Sequence, residues 1–123
     1  MLSKLMLVFV GGGAGSLLRF GISLAMANVS RTVFPLATLL SNFLSCLVLG
    51  LVVFFLGEKF NTEVSLRLLL ITGFCGGFST FSAFSYETLE LFRSGNVGYA
   101  FANIAVSIVV CFGMMFFLIR NAN

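Results

Sequence analysis

Histidine and aspartate are both absent from this chain, and only 9% of its 123 residues are charged. A soluble domain carries about 25% charged residues, so the sequence predicts an integral membrane protein, in line with its mean hydropathy of +1.13. Without His there is no ready zinc ligand set, and without His or Asp no evident nucleophile–base pair for a membrane enzyme. The four glutamates, Glu58, Glu63, Glu87 and Glu90, fall in a loop or late in an apolar span, never at a span's centre. That disfavours a proton-coupled transporter, which needs a titratable group at membrane depth. The cysteines, Cys46, Cys75 and Cys111, are odd in number and lack metal-ligand spacing. They read as small apolar residues rather than as a disulfide framework. Lys and Arg are scattered, so the net charge of +3 gives no nucleic-acid footprint and no nucleic-acid partner is expected.

What remains is a set of long apolar runs. Taking about 20 residues per spanning helix, four spans emerge over about 4–27, 35–57, 66–92 and 98–119, forming a single four-span transmembrane domain over 1–123. The connections hold Asn28, Ser30 and Arg31, then Glu58 to Ser65, then Arg93 to Val97. The lone proline, Pro35, opens the second span, where a missing N–H does no harm. Lys4 and the Ala25-Met26-Ala27 triplet give the first span a superficial likeness to a signal peptide. Arg19 and further membrane-like sequence after Leu18 argue against cleavage. Gly11 and Gly15, one turn apart, would let the first span approach a neighbour closely.

Four spans put both termini on one side, with Lys4, Lys59, Arg67 and Arg120; the other side holds Arg19, Arg31 and Arg93. Since the Lys and Arg bias sets orientation, this near balance permits insertion both ways up and hence an antiparallel two-fold homodimer. A fixed orientation set by position-specific effects is the alternative.

The third span contains GFCGGFSTFSAFSYE, Gly73 to Glu87. Gly73, Gly76 and Gly77 weaken a helix there; Ser79, Thr80, Ser82 and Ser85 place hydroxyls at membrane depth; Phe81 and Phe84 stand about one turn apart. Backbone that leaves the helix in a membrane is tolerated only where protein or a watery cavity covers it, and such breaks are where ions and substrates bind. Thr38 and Asn42 share one face of the second span, and Asn103 and Ser107 one face of the fourth. Lone hydroxyls are satisfied by their own helix. Asn42 is different: an amide in lipid either joins helices or faces an ion path. Amide N–H groups, hydroxyls and the positive edges of phenyl rings suit a small dehydrated anion, binding it without a fixed cation that would trap it. Arg19 either draws anions to an entrance or snorkels to the interface.

GFCGGFSTFSAFSYE, with TLLSNF (Thr38 to Phe43) and GGGAGSLLRF (Gly11 to Phe20), resembles the Fluc (CrcB) family of fluoride channels across nearly the whole chain. The resemblance implies an all-α fold of four transmembrane helices, the third broken, in an antiparallel dual-topology homodimer with two pores. It implies that Phe81 and Phe84 meet fluoride with their ring edges and that Asn42 is the pore asparagine. Thr38, Ser82, Ser85 and Ser107 would form a polar track, and Arg19 would stand at the vestibule. It further implies a structural Na+ at the dimer interface, held by backbone carbonyls of Gly76 and Ser79. The implied activity is passive, non-enzymatic export of cytoplasmic fluoride across a bacterial inner (plasma) membrane. Two positions depart from the family pattern: Asn103 stands where many members have Tyr, and Ala83 where some have Thr. A small multidrug exporter would need a carboxylate in the first span, which is lacking. A non-transporting assembly subunit would show no activity when purified alone.

Overall fold

The computed structural model describes residues 1–29 and 32–121, with the backbone alone at 59–61. Ser30 and Arg31, expected in the first connection, lie outside the described residues. Helix α1 runs over Leu2–Val29, α2 over Leu36–Thr62 and α3 over Val64–Arg67. A π-helical segment, Leu68–Cys75, leads into the short turn α4, Gly76–Phe78; α5, Phe81–Arg93, and α6, Val97–Arg120, complete the chain. Four stretches are long and apolar enough to cross a bilayer: Leu2–Val29, Leu36–Glu58, Val64–Arg93 and Val97–Arg120. The protein is thus a multi-pass, all-helical membrane protein.

The second helix continues past its expected end. Gly57 takes φ 40° and ψ -112°, so the chain bends there and helix resumes to Thr62. Only glycine adopts such a dihedral cheaply, which is why the stretch from Glu58 is helical rather than a plain loop. The helical run ends at Glu63, whose backbone is extended at φ -94° and ψ 97°.

Packing divides the molecule in two. The first span lies along the π-helical segment and α4, while α2 lies along α6 and α5 crosses to α6. Backbone meets backbone in the first pair. A Cβ on Gly15 would strike the carbonyl oxygen of Phe74 and come within 2.7 Å of the Phe78 nitrogen. A Cβ on Gly77 would strike the Gly12 carbonyl and lie 3.0 Å from its Cα. Gly73 and Gly77 therefore serve close approach to α1, the route by which helices associate when lipid tails supply no hydrophobic drive. Phe78 is 2% exposed at this seam. Large apolar side chains such as Phe9, Leu17, Phe101 and Phe117 face outward, where acyl chains would surround them.

The expected result for Gly15→Val is loss of 1–3 kcal/mol or more, the order of magnitude for overpacking a tight contact (~1–3 kcal/mol). Gly13→Val, whose Cβ meets nothing within 4 Å, should be close to neutral. Thermal unfolding in detergent, followed by size-exclusion chromatography, distinguishes the two; equal midpoints would contradict the seam.

Candidate functional site

Helical dihedrals stop at Ser79 (φ -86°, ψ 157°) and Thr80 (φ -151°, ψ 118°). The interruption thus falls after the glycines that weaken the helix on paper, because those glycines are held against α1. It is fixed from across the molecule by Asn42. The Thr80 N–H donates to Asn42 Oδ1 at 2.8 Å, and Asn42 Nδ2 donates to the Thr80 carbonyl at 3.3 Å. One amide side chain on α2 therefore satisfies both backbone groups of a residue that has left the helix. In lipid those groups have no water to turn to, so the pairing removes the main penalty of the break. Thr80 also caps α5: its Oγ1 accepts from the Ala83 N–H at 3.1 Å. On the other side, Ser79 Oγ donates to the Cys75 carbonyl at 2.8 Å, which also receives Ser45 Oγ at 3.0 Å.

Two amides are diverted by this arrangement. In an unbroken helix the Thr80 N–H would bond the Gly76 carbonyl, and the Ala83 N–H would bond the Ser79 carbonyl. Both donate elsewhere, to Asn42 and to the Thr80 hydroxyl. Gly76 and Ser79 thus present carbonyls released from their usual donors. The neighbouring Gly77 carbonyl accepts from Arg19 Nε at 3.1 Å. Arg19 reaches the end of α4 from the first span, placing positive charge where the helix dipole is negative.

Beside the interruption lies an open groove of about 430 Å³. Asn42 and Cys46 of α2 line one wall, Ser107, Ile108, Cys111, Phe112 and Met115 of α6 another, and Ser79, Thr80, Phe81 and Phe84 complete it. The rings of Phe81 and Phe84 are 5.8 Å apart, centre to centre, and tilted by 36°. Among the described residues, no carboxylate and no basic side chain contributes to the lining.

The expected residues distribute as follows. Asn42, Phe81, Phe84 and Ser107 are brought together in the groove. Thr38 is buried on α2 outside the groove lining. One carboxylate oxygen of Glu87, Oε1, is buried with no partner among the described residues. Ser82 and Ser85 lie on the exposed surface of α5, with Ser82 Oγ 3.1 Å from Thr80 Oγ1. Arg19 does not line the groove; it is tied to Gly77. Asn103, 1% exposed, donates to Thr88 Oγ1 at 2.9 Å and accepts from Ser107 Oγ at 3.3 Å. Thr88 in turn donates to the Phe84 carbonyl at 2.7 Å. The amide that replaces the family's tyrosine therefore joins α6 to α5 one turn beyond Phe84. Sequence reading missed Thr80 as the partner of Asn42. The signal was available only as a pair of polar residues 38 positions apart, which no periodicity connects.

Four apolar spans around an uncharged, amide- and phenyl-lined groove define a small polytopic membrane protein built on an interrupted third span. The family model described as CrcB-like protein, Camphor Resistance (CrcB), matches residues 6–119, and the chain belongs to that family. It is 39% identical over 109 residues to the fluoride-specific ion channel FluC of Azobacteroides pseudotrichonymphae, covering 89% of this chain and 87% of the relative. It is 44% identical over 110 residues to the protein of that name from Pyrococcus horikoshii, covering 89% and 88%. The Enterobacter sp. relative, also so named, is 38% identical over 114 residues, covering 93% and 89%. These relatives are ion channels, not enzymes.

Asn42→Ala leaves the Thr80 N–H and carbonyl without their partner. It should lower stability by roughly 1–3 kcal/mol, the cost of unsatisfied buried polar groups. Ser41→Ala, which removes a buried hydroxyl that has no partner among the described residues, should cost little or even stabilise. Thermal unfolding of the two variants side by side provides the check; a larger loss for Ser41→Ala would contradict the role given to Asn42.

Proposed function

We propose that this protein is a fluoride-selective passive channel that lets cytoplasmic fluoride leave down its electrochemical gradient. The observation that carries this reading is the groove: Asn42, Phe81, Phe84 and Ser107 converge there, and among the described residues no carboxylate and no basic side chain lines it. The family and the printed names of the relatives support it.

Fluoride must shed water to enter such a space. An amide has two N–H donors; Asn42 gives one to Thr80, leaving the second for an ion. Phenyl ring edges carry the positive end of the ring quadrupole, and Phe81 and Phe84 supply two rings in succession. These are weak ligands with no fixed cation in the groove, so the ion is held loosely enough to leave. Thr38, Ser82, Ser85 and Ser107 are proposed as a polar track beside the rings, and Arg19 as the positive charge that draws anions toward the vestibule. At acidic external pH, HF enters a cell and ionises inside, so an exit for the anion protects the host.

The groove is open along one side, and Phe81 is 79% exposed. That supports closure by a second, antiparallel copy, for which the balanced Lys and Arg count also speaks; such a dimer would carry two pores in a bacterial inner membrane. A structural Na+ between the copies would be held by the Gly76 and Ser79 carbonyls. The donor set fits: neutral carbonyl oxygens freed by the diverted Thr80 and Ala83 N–H groups suit a hard cation. When bound, the ion would neutralise converging carbonyl dipoles and fix the two copies together.

In liposomes containing only this protein, fluoride should escape faster than from empty liposomes, while chloride should not. Phe81→Ile and Phe84→Ile should each slow fluoride at least about tenfold, the factor given by ~1.4 kcal/mol of lost stabilisation. Fluoride escape no faster than from empty liposomes would end the channel reading; wild-type rates in both variants would end the assignment of the rings.

A further inference from the structure

The groove has a second chemical character in the sulfur side chains that line it. On α2, Asn42 and Cys46 stand four residues apart; on α6, Ser107, Cys111 and Met115 repeat that spacing, and all of them line the groove. Residues four apart share one face of a helix, so each polar stripe runs on into sulfur. Since α2 and α6 pack against each other, the two stripes face one groove. Cys46 and Cys111 line the same groove from the two helices, and both are free. Two thiols and one thioether thus gather on two facing helices, within the space an ion would cross.

We propose that Cys46, Cys111 and Met115 form a binding site for a soft monovalent cation, Ag+ or Cu+. Thiolate and thioether ligands select such ions over hard ones. The charge balance favours a monovalent ion in particular. One thiol gives up its proton to the aqueous buffer as the cation binds, and the resulting thiolate cancels the charge of the cation. The second thiol and the Met115 sulfur complete the coordination as neutral ligands. A net neutral unit suits an apolar wall that would resist a bare charge. No electron transfer is involved. The occupied site would fill part of the groove and stop ion passage; this consequence rests on the channel reading, whereas metal binding does not.

The test uses Ag+ as silver nitrate in chloride-free buffer, with the whole protein in detergent. After dialysis against an excess of a small monothiol, the wild type should retain one silver per chain. Cys46→Ser and Cys111→Ser should each weaken retention about a hundredfold, within the range gained by joining two ligands in one molecule. Cys75→Ser should retain silver as the wild type does, because Cys75 faces Ser45 and lies outside the groove. A readout without substitutions is alkylation of the wild type by N-ethylmaleimide. Silver should protect Cys46 and Cys111 together, judged against the silver-free protein. Full retention by either serine variant, protection of only one of the two thiols, or one silver per two chains would overturn the site. In liposomes, silver should arrest fluoride efflux from the wild type, and each serine variant should be judged against its own silver-free rate. Silver bound at Cys46 and Cys111 with fluoride still passing would overturn the block alone; silver bound in a protein that passes no fluoride at all would refute the channel reading and leave the site standing.

Discussion

A single asparagine bonded to both backbone groups of Thr80 is the contact on which the rest of this structure depends. Chain that leaves a helix inside a bilayer exposes an N–H and a carbonyl that lipid cannot satisfy, at several kcal/mol each. Asn42 answers both at once, at 2.8 Å and 3.3 Å. With the backbone at Thr80 fixed, its hydroxyl is free to cap α5, which sets the start of that helix and the position of Phe81 and Phe84. The middle of the same helix is tied by the Asn103, Thr88 and Phe84 carbonyl series. The rings therefore sit on an element held at two points by amides from two different spans.

Close backbone approach sets the remaining geometry. The first span can lie against the third only because Gly11, Gly12 and Gly15 meet Gly73, Phe74 and Gly77 with no side chain between. The chain thereby gains packing in a medium where apolar burial gives no net drive between helices. It also gains a rigid base for α4, whose last turn is covered by Arg19. The groove lies on another face, lined by residues of α2, α5 and α6 together with Ser79 and Thr80.

Much of this was legible in the residues, and the physical reasons for the exceptions are specific. The apolar runs fixed where spans lie, because length and charge exclusion act locally. Asn42 could be singled out because an amide in lipid must find partners; whether it joined helices or faced a path was open. It in fact does the first, with Thr80, and also lines the groove. The place of the interruption was not legible. Glycine propensity points to 73–77, but tertiary packing holds those glycines in helical turns and moves the extended residues to Ser79 and Thr80. Gly57 was unreadable for a related reason: a positive φ can end a helix or bend it, and here the helix resumes. Cys46 and Cys111 read singly as small apolar residues; that both line one groove depends on how α2 packs against α6, which no single-span pattern encodes.

The central claim is that this groove passes a dehydrated fluoride ion and little else. Current across a planar bilayer containing the purified protein, with fluoride concentrations unequal and chloride opposed, tests it most directly. The account predicts a reversal potential at the fluoride equilibrium value, unmoved when chloride or the cation is exchanged. A reversal potential that follows chloride or the cation would contradict it.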